Sequence, residues 1–408
     1  MKVWVKYLIG VALGVLAALI LPGNAAMSNG VAFLTELFIR IGRYVVVPLI
    51  FTTAIVSVSR LRSSKLLWKT AGLTGIIVVV SAFILTLVGL LSILIVKLPR
   101  IPITVEATTE AFNLDIKGMI LSLFPYSGFD SVKDGSFLLV CLVMAFIVGW
   151  ESASEETAFK PILTLSDSLS DLFYNVANFF TEIMAVLGIA IVCYWTIDFR
   201  AVIATGIFTP MIIMFIIDFV IVAGIIYPLI LYFVCHDPHP YKVLYASVAP
   251  LVLSFFSGDA NLVVPLANRH LRDSLGIRRR CRGFTYPLLS IFARGGSALV
   301  STISFILIWR SYSSLSIPGT DILWIFGLSF GLSFLLGGSP SGGAFVLLTI
   351  ICTKYARGFE TSVLLLKPAS MIICSFAALF DTLTGMVGTY IVAVKTKMVE
   401  HHSITHFI

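Results

Sequence analysis

"FFSGDAN", Phe255–Asn261, and "LGGSPSGG", Leu336–Gly343, each end an apolar stretch that is too short to cross a bilayer. Roughly fourteen apolar residues precede the first and about fifteen the second, whereas a spanning helix needs roughly 20. In hydrocarbon an unpaired backbone amide or carbonyl costs several kcal/mol, so non-helical backbone at that depth survives only inside protein or along a cavity. Both segments are therefore expected to turn back in mid-membrane. Gly, Ser and Pro suit such tips, because they permit sharp turns and leave the N–H groups of a half-helix facing a cavity. Paired broken segments in two halves of a chain are the best sequence pointer to a transporter's binding site. The plainer readings are an exposed loop at "GGSPSGG" and a kinked continuous helix at "SGDAN". The half-length apolar arms around "GGSPSGG" argue against the loop.

Composition sets the solvent. Hydrophobic residues are 58% of the 408 and charged residues only 12%, against roughly 25% charged in a soluble domain. The chain has room for eight to ten passes and no sizeable soluble domain. Its six cysteines are scattered through apolar stretches without C-x-x-C spacing, so they read as small core hydrophobes rather than zinc ligands or disulfides. None of the six histidines reads as a metal ligand: His401, His402 and His406 lie in the tail, His236 and His239 in a loop and His270 in the basic stretch. The net charge of +7 fits Lys and Arg in cytoplasmic loops, not nucleic-acid binding.

Apolar runs cover roughly 7–21, 31–58, 70–96, 136–150, 172–197, 201–235, 283–310 and 361–394. The first, behind Lys2 and Lys6, reads as a retained span rather than a signal peptide. Arg60, Arg62, Lys65 and Lys69 follow the second run, and loop 22–30 carries no Lys or Arg, which places the amino terminus inside. The basic stretch "RHLRDSLGIRRRCR" and the tail after Lys395 and Lys397 fall on the same side. With both ends inside, segment 243–268 must enter and leave from the cytoplasmic face and 320–357 from the opposite one. The expected fold is all-α, with eight transmembrane helices plus two re-entrant helical hairpins in inverted repeats.

Several stretches resemble the dicarboxylate/amino acid:cation symporter family, the glutamate transporter homologues. "FIRIGRYVVVPLIFTTAIV" (Phe38–Val56) looks like that family's second span and "SLSDLFYNVANFFTEIMAVLGIAIV" (Ser168–Val192) like its fifth. "VVPLANRHLRDSLGI" resembles the end of its first hairpin, "SIFARGGSALVSTI" its seventh-span N-M-D-G-T region, "GGSPSGG" its second hairpin tip and "GTYIVAVKT" the end of its last span. The likeness covers nearly the whole chain, in order. It implies a homotrimer in the cell (inner) membrane that moves an amino acid or dicarboxylate by an elevator motion. A scaffold would comprise 1–65 and 101–200, a transport domain 66–100 and 201–397, and a cytoplasmic tail 398–408. Substrate-binding positions implied by the alignment are Asp259, Ala260, Asn261, Arg294, Ser297, Ser339, Pro340, Ser341, Gly342, Gly343 and Asp381.

Departures from the family pattern cluster at the site. Asp259, Ala260 and Asn261 stand where the family carries a serine run. The seventh-span sodium ligands Asn and Asp fall at Ala293 and Gly295, with Arg294 in place of the methionine between them. Of the third-span hydroxyls only Ser81 remains, beside Val80. In the last span the substrate Arg, its preceding Asp, the Asn and the final sodium Asp fall at Ala377, Cys374, Asp381 and Gly385. Sodium prefers a cage of oxygens, and most of that cage is missing. Arg294 is the only charged residue between Arg282 and Arg310, and a lone Arg within a span needs an interior partner. The sharper reading has its guanidinium occupying the space of the sodium ions, paired with Asp381 or Asp259. Coupling then passes to protons or exchange; the plainer reading has Arg294 bracing the fold. No resident cofactor or metal is expected. Asp218, in "MIIMFIIDFVIVAG", is either a proton carrier or a hydrogen-bonded structural residue.

Two rival classes remain. An intramembrane aspartyl enzyme using Asp259 and Asp381 lacks the G-x-G-D pattern, because Phe256 stands where its first glycine belongs. "GSPSG" is not a G-x-S-x-G elbow either. A transporter-derived sensor or channel without coupled transport would share the binding architecture.

Overall fold

The computed structural model describes residues 2–21, 25–102, 138–154, 156–313, 317–338, 342–355, 359, 361–400 and 407. The predicted tip residues Ser339, Pro340 and Ser341, the first residues of the 136–150 run and the tail histidines lie outside the described residues. Fifteen α-helices account for most of the rest. They are α1 (Val3–Ile20), α2 (Ala25–Arg43), α3 (Val46–Ser63), α4 (Leu67–Ile95), α5 (Leu138–Ser152), α6 (Glu156–Ala204), α7 (Thr209–Ile221) and α8 (Tyr227–Cys235). Then come α9 (Tyr241–Ser257), α10 (Val264–Asp273), α11 (Arg279–Phe292), α12 (Gly295–Tyr312), α13 (Gly319–Ser333), α14 (Gly343–Tyr355) and α15 (Ser370–Lys395). Among the described residues there is no strand, only one antiparallel bridge between Ile277 and Val399.

Among the described residues, eight helical stretches are long and apolar enough to cross a membrane. The count matches the expectation, but its members differ. Gly319–Gly337 qualifies by length and composition although the sequence places it in the second hairpin, and Leu138–Ser152 falls among the shorter apolar helices.

Several runs that read as continuous are broken, and proline chemistry explains two of the breaks. Run 31–58 divides at Tyr44–Val45 into α2 and α3. The ring of Pro48 cannot tolerate a helical carbonyl four residues back, at Tyr44. Run 201–235 is interrupted by a π-helical turn over Val222–Ile226, just before Pro228. Pro228 has no N–H for the carbonyl of Gly224, which instead accepts the Tyr241 hydroxyl at 3.0 Å. The third break, at Ala293–Arg294, separates α11 from α12 and forms part of the site. Run 172–197 is the middle of α6, whose 49 residues make it about 74 Å long.

The centre of the bundle is α12, every residue of which is buried from Gly295 to Trp309. It packs against α4, α13, α14 and α15, while α3 packs on α5, α6 and α11, α1 on α6, and α9 on α15. All six cysteines are free thiols, four of them buried.

The short turn before α9 is tied to α15 by Asp237. Its carboxylate is 2.7 Å from Lys242 Nζ and accepts the Tyr390 hydroxyl at 2.5 Å and the His239 amide at 3.1 Å. Burial opposes ionisation, but Lys242, Tyr390 and the amide overcome it and hold the carboxyl below the ordinary value of 3.8. The stabilisation is present above that value and is lost as pH falls through the lower folded one. Lys242→Met is therefore expected to weaken the protein at neutral pH, and its deficit should close as pH falls below 3.8 and through the lowered value of the folded protein. Tryptophan-detected unfolding of both forms across pH checks this.

Candidate functional site

Three interruptions in helices converge on α15. The first is the end of α9, where Gly258 adopts φ +62°, a left-handed cap that only glycine takes without strain. The second is the Ala293–Arg294 break, and the third is Gly342, with φ +80°, before α14. Between them lies a void of about 10 Å³ bounded by Gly258, Arg294, Ser297, Gly343, Cys374 and Asp381 among others. That is room for a single water molecule.

Asp381, from the middle of α15, serves as the N-terminal anion of α12. Its Oδ1 accepts the amides of Gly296 at 2.7 Å and Ser297 at 3.3 Å, and its Oδ2 accepts the Ser297 hydroxyl at 2.9 Å. Arg294 Nη1 stands 3.7 Å from Oδ2. A carboxylate offers about four lone-pair sites; three are taken by these hydrogen bonds, and Arg294 faces the carboxylate at ion-pair distance. Helix N-termini favour such a charge because their first amides have no intrahelical acceptor. Gly296 makes this approach possible, and Gly295 lets α4 lie close on the other side. A Cβ at Gly295 would lie 2.8 Å from Ala82 Cα, and one at Gly296 would overlap the Phe380 Cβ and lie 2.7 Å from Asp381 Oδ1. Gly296→Ala is expected to cost about 1–3 kcal/mol of stability through overpacking, measured as a lowered melting temperature of the purified protein.

Arg294 is 2% exposed and sits at the helix break, not in mid-helix as the continuous run 283–310 implied. Two of its guanidinium nitrogens, Nε and Nη2, have no hydrogen-bond partner among the described residues. At an effective dielectric of 20, its attraction to Asp381 is on the order of 4 kcal/mol.

Asp259 is not the partner of Arg294. Its Oδ2 accepts both Arg43 Nε at 2.8 Å and Nη2 at 2.6 Å, while Oδ1 accepts the Asn261 amide at 2.9 Å. Arg43 ends α2 at the Tyr44–Val45 break, so the tip after α9 is tethered to a distant part of the chain. Asp259 is 1% exposed, and this pair neutralises it. Ala260 and Asn261 are also buried, and the Asn261 side-chain amide has no partner among the described residues. The expected coupling-ion residue Ser81 donates to the Val78 carbonyl of its own helix at 3.1 Å. It lines an apolar groove with Tyr227 and Thr384 and does not bound the void.

Of the expected site residues, the void thus gathers Arg294, Ser297, Gly342, Gly343 and Asp381. Sequence reasoning missed Arg43, although its signal was present as a basic residue just ahead of "VVVPLIF". Asp218, 1% exposed on α7, accepts the Ser92 hydroxyl at 3.0 Å through Oδ2, and its Oδ1 has no partner among the described residues.

An apolar helical bundle enclosing a charged pair among converging helix breaks defines a multi-pass membrane protein with an internal polar site. Residues 3–395 match the sodium:dicarboxylate symporter family, and the chain belongs to that family. It is 21% identical to the proton/sodium-glutamate symport protein of Bacillus subtilis (strain 168) over 326 residues, 74% of this chain and 72% of that protein. Over 168 residues it is 25% identical to a C4-dicarboxylate transport protein of Acinetobacter baylyi, covering 38% of this chain and 36% of the relative. It is also 25% identical to the human neutral amino acid transporter B(0) over 127 residues, 31% of this chain and 23% of that one. These are transporters, which sets the aspartyl-enzyme reading aside.

Proposed function

We propose that this chain is a secondary transporter for an amino acid or dicarboxylate in which the Arg294–Asp381 pair stands where relatives hold a mobile sodium ion. Transport is then sodium-independent and driven by protons or by exchange. The observation that carries this reading is the buried guanidinium 3.7 Å from a carboxylate whose other lone pairs are taken by the start of α12. A fixed cation already neutralises the group that would otherwise recruit a mobile one, and Ala293 and Gly295 supply no side-chain oxygen beside it.

In this reading the helix pairs α9/α10 and α13/α14 are re-entrant hairpins that enter from opposite faces, with both chain ends cytoplasmic. Residues 66–100 and 201–397 slide as a transport domain against a scaffold of 1–65 and 101–200, within a homotrimer of the cell membrane. The void must widen to admit a substrate, and the left-handed Gly342 supplies a hinge for α14.

A thermal screen of purified protein against amino acids and C4 dicarboxylates tests the reading, because a ligand that binds the folded state raises its apparent stability. Counterflow of the ligand that scores then separates a carrier from a sensor. Exchange of labelled substrate is the expected result; binding without exchange contradicts transport.

A further inference from the structure

A large cavity in the described structure lies away from the proposed substrate site. It measures about 990 Å³ and is walled by α3, α6, α10, the start of α11 and Glu400. Six arginines and four carboxylates line it, an excess of two positive charges. Some of this charge is paired. Asp167 is 2.8 Å from Arg60 Nη2 and 2.7 Å from Arg279 Nη1, and Asp171 also meets Arg279. Arg278 reaches Glu400 at 3.1 Å, and Arg272 stands 3.7 Å from Asp273.

Two arginines are left over. Neither Arg280 nor Arg282 has a carboxylate partner among the described residues, and the Nε of each is buried without a hydrogen-bond acceptor. Arg282 is 2% exposed, held by the Asn268 side chain at 2.7 Å and over the Tyr174 ring at 5.1 Å. A buried guanidinium nitrogen without an acceptor is costly. The same two residues lie in the first turn of α11, a 14-residue helix; its Cys281 and Arg282 amides donate to the Arg278 carbonyl at 3.0 and 3.2 Å, which leaves those of Arg279 and Arg280 without an acceptor within the helix.

We infer that this cavity is an anion site for a phosphate group, contributed by a lipid headgroup or by a free phosphate compound. The charge excess matches a phosphate monoester, which carries about −1.5 to −2 at neutral pH. Planar guanidinium forks and helix-start amides are the donors that phosphate oxygens take best. An occupant would join Arg60 of α3 to Arg280 and Arg282 of α11, fastening two parts of the bundle together. The inference is independent of what the protein carries.

The test uses delipidated full-length protein in non-ionic detergent, melted in inorganic phosphate and in sodium chloride at matched ionic strength. A parallel set is melted in phosphatidylcholine nanodiscs with and without phosphatidic acid. Phosphate is expected to raise the melting temperature beyond chloride, and Arg280→Gln to weaken that response about tenfold or more in concentration. Arg280 breaks no ion pair seen among the described residues, so this variant is expected to fold; Arg282→Gln is the more disruptive companion. A response to phosphatidic acid alone assigns the site to lipid, and a response to phosphate alone assigns it to a soluble anion. Equal melting in phosphate and chloride together with no phosphatidic acid effect overturns the inference, as does a full response in Arg280→Gln.

Discussion

Arg294→Met is expected to abolish uptake and to lower stability by about 3–5 kcal/mol, the cost of stranding one member of a buried ion pair. Methionine fills a similar volume, so the loss reports charge more than packing. Asp381 keeps its contacts to Gly296 and Ser297 but loses the cation that neutralises it within the bundle. The double variant Arg294→Met/Asp381→Asn separates the two roles of the pair. Removing both charges should restore much of the melting temperature, because no buried charge is left uncompensated. Uptake should not return, since neither the fixed cation nor the carboxylate remains. Full uptake by Arg294→Met contradicts the proposed role, whatever its stability.

Arg43→Gln is expected to lower stability by about 1–3 kcal/mol, less than Arg294→Met. Arg43 is partly exposed, its side chain 22% accessible, whereas Asp259 is 1% accessible. The substitution therefore leaves a charged carboxylate in the interior with, among the described residues, the Asn261 amide alone to support it. Asp259→Asn removes that charge and should be milder than Arg43→Gln. The exchange Arg43→Asp/Asp259→Arg should recover part of the loss in a double-mutant cycle. Because this pair ties the turn after α9 to α2, its removal also frees one end of the proposed site. A faster rate of thiol labelling at Cys374, whose Cβ lies beside Gly258, reads that release directly. Unchanged labelling in Arg43→Gln means the tether does not restrain the turn.

The broad architecture was legible because lipid imposes a simple constraint on composition and length. Long apolar runs became helices, and "FFSGDAN" and the glycines of "GGSPSGG" became helix interruptions, since glycine permits the left-handed turns found at Gly258 and Gly342. The family resemblance carried by these stretches agrees with the match over residues 3–395. Breaks inside runs were harder to read. Apolar composition alone does not tell a straight span from one divided at Tyr44–Val45 or Ala293–Arg294, although Pro48 and the glycine pair after Arg294 mark both places.

Charge pairing was only half legible. Sequence narrowed the partner of Arg294 to two aspartates, because so few carboxylates occur in the apolar runs. It could not distinguish them, because the choice depends on Arg43, more than two hundred positions from Asp259, claiming that residue first. Ser81 illustrates the converse: alignment retained the residue type, while the fold turned its hydroxyl onto its own helix.

Sodium dependence of uptake in proteoliposomes tests the central claim most directly. Once a transported ligand is identified, its uptake is measured with external sodium and again with sodium replaced by choline at constant ionic strength. A guanidinium fixed beside Asp381 predicts the same initial rate in both. A strict requirement for sodium contradicts it.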